Sequence, residues 1–378
     1  MEPTLPGPRI FGSCHECKYG FAFAEEIAVR TNPLRCPYCD AILLESEEYK
    51  HTSGITVGVE PITPASKLIR GDLIAFEDLQ KLRVVKRLVG FPGESIRISD
   101  GDLFVNYRRY QKTISDFYSS SIHVSSWPEA NDYCSQALSL DPWCVYESSS
   151  LWPRVGQRAT RHASPILDEL AVNPDEPFPF VPVQDIGLVM SVEVRPAAEF
   201  EVIIGIWSSG ALRTIHCRFS KDECIATPGS QLNTNSGVTL RYEPVPENRD
   251  KNEMRFVVAT VDGRVGVAVL GKNNALISSH YWQSYECLAH SKLLQEANCS
   301  AERPAVISVR STHPYVNSIE IVRDIYYRGP NGEYEYQLPI VEAYHVLGDN
   351  VSIAADSRSE FAEGIDRKRI SGRIIISP

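Results

Sequence analysis

Apolar residues in this chain come in short runs that proline and glycine keep interrupting, and this pattern limits what it can fold into. The 25 prolines and 23 glycines are spread along 378 residues. Proline removes a backbone donor and fixes φ, while glycine marks turns, so long helices have little room and strands joined by turns are expected. A chain of this length holds two or three domains with a sizeable core. Hydrophobic residues make up 43% and charged residues 23%, as in a folded globular protein. A net charge of −10 repels phosphate, so no nucleic-acid partner is expected. No apolar run reaches the roughly 18 residues that a spanning helix needs. The opening Met1-Glu2-Pro3-Thr4 is not the basic start of a secretory signal.

The chemistry is carried first by Leu82-Arg83-Val84-Val85-Lys86-Arg87-Leu88-Val89. In a strand, alternate residues share a face, so Leu82, Val84, Lys86 and Leu88 point one way. Burial in such an apolar row disfavours the ammonium and lowers the lysine pKa. A neutral amine can then take a proton from a hydroxyl nucleophile. The other reading of the same segment is an edge lysine that extends its ammonium to water.

Around this strand lie three blocks. Arg70-Gly71-Asp72 precedes the apolar Leu73-Ile74-Ala75-Phe76. Lys86-Arg87-Leu88-Val89-Gly90-Phe91-Pro92-Gly93-Glu94 runs from strand into turn. Far downstream, Gly348-Asp349-Asn350 is followed by Asp356-Ser357-Arg358. In this order the blocks resemble the type I signal peptidases, serine-lysine peptidases with a LexA/signal-peptidase-like fold. The resemblance covers roughly 1–10, 55–106 and 341–378 and implies a mainly β chain. Its discontinuous catalytic core would be residues 1–106 and 341–378.

By that resemblance Lys86 is the general base, and Asp356 and Arg358 form a supporting ion pair behind the active site. The alternative for that pair is an ordinary surface salt bridge. Met1-Glu2-Pro3-Thr4-Leu5 is similar to the family's nucleophile block Ser-Met-x-Pro-Thr-Leu, entered at the methionine. Met1 and Pro3 would line the substrate cleft, and the nucleophilic serine would precede Met1. A polypeptide starting at Met1 is therefore expected not to cleave peptides, through either a start assigned too late or a true pseudoenzyme. Family members often carry a lysine-bonding serine at the position of Ala354. Ser352, two residues earlier, is the candidate replacement.

Cys14-His15-Glu16-Cys17 and Cys36-Pro37-Tyr38-Cys39 form two C-x2-C pairs with eighteen residues between them. Four thiolates so arranged suit tetrahedral structural zinc, and a closed site leaves no open position for catalysis. Cys14, Cys17, Cys36 and Cys39 are thus expected to fold a zinc ribbon over 11–45. For Cys134, Cys144, Cys217, Cys224, Cys287 and Cys299, spacing leaves both disulfides and buried thiols open.

Residues 107–183 read as an irregular insertion, with a helix expected after Ser126 and Pro128 in its first turn. Residues 184–330 read as an inserted β-sandwich. Its expected strands are Leu188–Val194, Phe200–Trp207, Leu212–Phe219, Val238–Tyr242, Arg255–Val261, Arg264–Leu270 and Ile319–Tyr327, with a hairpin at Asp262-Gly263. It resembles the concanavalin and laminin-G class without a specific motif. Trp207 and Trp282 are either core or ligand-facing aromatics.

The resemblance implies an endopeptidase that removes signal peptides from exported proteins, with small side chains at the first and third positions before the cut. It implies an upstream membrane anchor, a catalytic domain on the extracytoplasmic side and no cofactor in the chemistry. The alternative is a catalytically inactive binding protein on the same scaffold.

Overall fold

The computed structural model describes residues 4–5, 7–16, 20–24, 34–36, 41–43, 50–63, 66–127, 144–146, 149–150, 162–163, 165–166, 168, 181–194, 199–229, 237–242, 252–271, 274–289, 300–310, 316–329, 334–338, 343–349, 351 and 354–375. The architecture is mainly β, as the sequence implied.

A six-stranded antiparallel sheet carries the motif blocks. Its order is Ile365–Asp366, Ala343–Leu347, Arg83–Gly90, Leu73–Glu77, Ile370–Ile375 and Gly58–Pro61. Leu82 falls outside the strand it was expected to join. Asp78 accepts the Leu82 and Gln80 amides at 2.8 Å, which closes a turn and leaves Leu82 exposed. On one face of this sheet Leu88, Ile74 and Phe76 pack with Val346, Phe361 and Ile370. On the other, Val89 and Leu347 pack with Ile96, Ile98 and Leu103 of a four-stranded sheet. That sheet turns at Asp100-Gly101, whose φ values of 51° and 86° suit a tight hairpin.

Two further six-stranded antiparallel sheets face each other. One contains Ile186–Val194, Asn252–Val261, Arg264–Leu270 and Val316–Arg323; the other contains Phe200–Ser208, Ala211–Phe219, Glu223–Pro228 and Ala305–Arg310. Leu188, Met190, Phe256 and Val267 of the first meet Val202, Ile204, Cys217 and Phe219 of the second in one apolar core. Trp282 belongs to this core and Trp207 is half-buried. The sandwich also draws strands from before residue 184, Ile122–Trp127 and Cys144–Tyr146. The helix expected after Ser126 falls on residues outside those described.

An unexpected helix, Ile114–Ser120, lies on the outer face of the first sandwich sheet. Thr113 caps it by accepting the Asp116 amide at 3.0 Å, and Asp116 accepts the Thr113 amide in return. Its Ile114 and Phe117 cover Val189, Val257, Ala259 and Ala268. Both faces of the Ile186–Val194 strand are thereby covered, and it reads as a nearly continuous buried run.

Candidate active site

Lys86 stands mid-way along Arg83–Gly90, opposite Ile74 on one side. On the other side Val346 faces Leu88 and Leu347 faces Arg87, so the chain leaving Leu347 brings Gly348 alongside Lys86. A methyl group on Gly348 would lie 3.4 Å from Lys86 Nζ and 2.3 Å from Ala354 Cβ. Glycine is required by this approach, and the amine and Ala354 meet over it. Among the described residues no hydrogen bond or ion pair reaches the amine. Burial is the main cause that lowers its pKa, and Arg358 adds to it; Asp356, Asp349 and Glu360 oppose without reversing it.

The supporting carboxylates are buried. Asp356 accepts Arg358 Nε at 2.9 Å and Nη2 at 2.6 Å, and it also accepts the Gly348 amide at 2.8 Å. Both side chains of this pair are nearly inaccessible, unlike a surface salt bridge. Ser357 completes the docking: its amide donates to Val346 O at 3.0 Å and its Oγ accepts the Val346 amide at 3.0 Å.

Sequence reasoning singled out Asp356 and Arg358 and missed a second buried pair, Arg87 with Asp349. Arg87 donates to Asp349 from Nε at 2.9 Å and Nη2 at 2.6 Å, and from Nη1 to Gly71 O at 2.9 Å. Thr4 Oγ1 donates to the same carboxylate at 2.5 Å, while Leu5 packs with Leu73, Ala75 and Ile374. Thr4 and Leu5 are thus held against the sheet at Arg87, the neighbour of Lys86, on the face opposite the Lys86 side chain. The remaining motif residues form a brace: Arg70 Nη2 reaches Glu94 at 2.7 and 3.0 Å, and Glu94 accepts the Phe91 amide at 2.7 Å. Met1, Pro3 and Ser352 lie outside the described residues.

Near the N-terminus, Arg9–Ser13 pairs with Gly20–Ala24, and buried Cys14 begins the turn between them. Buried Cys36 donates its amide to Ala41 O at 2.8 Å, in a second turn closed by the Arg35 and Ile42 bridge. Cys14 and Cys36, one from each pair, thus stand at turns, a placement that fits thiolate knuckles. Cys17 and Cys39 lie outside the described residues. Cys217, Cys224 and Cys287 are buried thiols without a bridge. Cys134 and Cys299 lie outside the described residues.

Residues 36–145 match the family described as signal peptidase, peptidase S26. The match spans the Arg-Gly-Asp block, the Lys86 strand and the turn after it, under a third of the chain, and it supports a peptidase. That family is generally membrane-associated. No helix among the described residues is long and apolar enough to cross a membrane. No curated protein matches the chain.

Among solved structures, similarity extends to a fructofuranosidase from Schwanniomyces occidentalis complexed with fructose (11% identity, TM-score 0.25, 37% of this chain and 28% of that one). It extends also to the CBM2 module of an evolved Dit protein of Lactobacillus casei BL23 phage J-1 (12%, TM-score 0.21, 36% and 60%). A third is the galectin LEC-6 of Caenorhabditis elegans (9%, TM-score 0.21, 49% and 97%). The chain spans well under two thirds of the fructofuranosidase and somewhat under two thirds of the module. At these scores none of the three bears on what this chain does.

Proposed function

We propose that this chain carries the general-base half of a signal-peptidase-type serine endopeptidase acting on exported proteins at a membrane surface. The observation behind this reading is the Lys86 amine. It is partly buried, has a lowered pKa and lacks a partner among the described residues, and it sits beside Gly348, whose neighbour Asp349 binds Thr4. In the proposed reaction Lys86 Nζ accepts the proton of a serine hydroxyl as that oxygen attacks the scissile carbonyl. The ammonium so formed returns the proton to the leaving amine, and an acyl-enzyme remains for water to hydrolyse. The resemblance implies that this serine stands immediately before Met1, with Met1 and Pro3 in the cleft, and Thr4 ties the opening segment to Asp349, next to Gly348. Asp356 and Arg358 fix Gly348, and through it the floor beneath the amine; Ser352 is the hydroxyl assigned to steady Lys86 where Ala354 offers none.

One structural zinc is assigned to Cys14, Cys17, Cys36 and Cys39, where it would fix the two turns and take no part in the reaction. Signal peptides are the proposed partners, met on the extracytoplasmic side through an upstream anchor.

The test is a chain extended upstream to include serine directly before Met1, incubated with a signal-peptide substrate bearing small residues at the first and third positions before the cut. Cleavage at that bond, lost on Lys86→Ala with circular dichroism unchanged, is expected. Cleavage that survives Lys86→Ala rules the amine out as base, and no cleavage by the extended chain favours a binding protein. Metal analysis after chelator-free purification should give about one zinc per chain.

A further inference from the structure

The inner faces of the two sandwich sheets follow the strand period of two, and at one end their apolar rows give way to polar residues. Ile215, Cys217 and Phe219 belong to the core, and the next residue of that row is Arg213. Phe256 and Val258 are followed in the same way by Thr260, Leu188 and Ile186 by Gln184, and Ile204 and Ile206 by Ser208. These residues share the lining of a cavity of about 230 Å³ with Asp100, Asp102 and Tyr326.

Most polar groups of the rim have partners: Arg109 and Arg264 each leave Nε unpaired but donate from Nη2 to Asp102 and to Lys112 O. Thr260 Oγ1 donates to Gln184 O at 3.1 Å, Ser208 Oγ to Gln184 O at 2.9 Å, and the Ser209 amide to Gln184 Oε1 at 2.8 Å. Arg213 is 9% exposed, and its Nε and Nη1 have no hydrogen-bond partner among the described residues. A guanidinium does not readily shed its charge, and an unpaired buried charge is costly, so the position calls for an anion. The carboxylates of the cavity do not serve. Asp102 is held by Arg109 at 2.7 Å, Asp324 by Lys112, and Asp262 accepts the Lys112 amide at 2.7 Å. The lining therefore combines an unpaired guanidinium with the group Asp102, Asp185 and Asp262, whose oxygens lie within 4.8 Å of one another.

We propose that this cavity binds a small organic carboxylate bearing an amino or hydroxyl group, its carboxylate on Arg213 and its donors toward the aspartates. A fork of parallel N–H donors matches a carboxylate in two hydrogen bonds, and the aspartate oxygens can accept from an ammonium or hydroxyl. The site is separate from Lys86 and does not depend on the peptidase reading.

The test is titration calorimetry of the full chain with L-serine, lactate, acetate and inorganic phosphate, repeated on Arg213→Met and Arg213→Lys. L-serine or lactate is expected to bind, more tightly than acetate, with Kd raised at least tenfold in Arg213→Met. Arg213→Lys, which keeps the charge and loses the fork, should fall between the two and covers the case in which the methionine variant fails to fold. No binding by either acid, binding unchanged by both substitutions, or binding of phosphate alone overturns the assignment.

Discussion

Thr4 Oγ1 and Arg87 Nη2 donate to the same oxygen of Asp349, at 2.5 and 2.6 Å. Asp349 is fully buried, so it both neutralises a buried guanidinium and ties down the first residues of the chain. The two functions separate by mutation. Asp349→Ala strands the Arg87 charge and should cost about 3–5 kcal/mol in urea unfolding. Thr4→Val removes one hydrogen bond and should cost about 1 kcal/mol. A loss as large for Thr4→Val as for Asp349→Ala would show that the opening residues, not the ion pair, carry the stability.

Lys86 predicts a pH dependence with a definite sign. Its folded pKa lies below the ordinary 10.5, so between those values the unfolded chain binds more protons and stability rises with pH. Lys86→Met should therefore stabilise the protein most at neutral and acidic pH, the gain shrinking toward pH 10.5. In a serine-bearing chain, kcat/KM should rise with pH as the amine deprotonates, and Lys86→Ala should lower it by about 10²–10⁴-fold. A stability difference independent of pH would show that the amine is not perturbed in the folded state.

Gly348 offers a steric test of the same site. A Cβ there would stand 2.3 Å from Ala354 Cβ, so one of the two segments has to move. Gly348→Ala should cost about 1–3 kcal/mol. Because the displaced segment runs beside Lys86 Nζ, which the new methyl would touch at 3.4 Å, the substitution should also lower turnover in a serine-bearing chain by more than the unfolded fraction explains.

What could be read from the sequence was local. The Asp100-Gly101 and Asp262-Gly263 hairpins stand where the dipeptides placed them, each with positive φ at both residues. The shared face of Val84, Lys86 and Leu88 followed from strand parity, while Leu82 was lost to the Asp78 turn. Contacts that depend on register between distant strands were not legible. The Arg87 and Asp349 pair joins residues 262 apart, and nothing in either segment distinguishes it from the Asp356 and Arg358 pair. The Leu276–Gln283 strand went unread because it lies at a sheet edge with mostly accessible side chains, which weakens alternation. The Ile114–Ser120 helix is too short for a helical period to show, and its Thr113 and Asp116 cap went unread.

His345 also carries a prediction that sequence did not suggest. It is fully buried between the rings of Tyr334 and Tyr336, at 5.6 and 5.8 Å, and neither imidazole nitrogen has a hydrogen-bond partner. Burial lowers its pKa to about 4, with Asp356 opposing and Arg358 assisting. Its folded value lies below the unfolded 6.5, so the folded state binds fewer protons between them. Stability contributed by the neutral ring is present above pH 6.5 and is lost as pH falls toward 4. Over that window the loss is about 3 kcal/mol. His345→Phe keeps an aromatic ring between the two tyrosines and removes the titration. Its unfolding free energy should fall less steeply than that of the parent between pH 6.5 and 4, and equal slopes would place the acid sensitivity elsewhere.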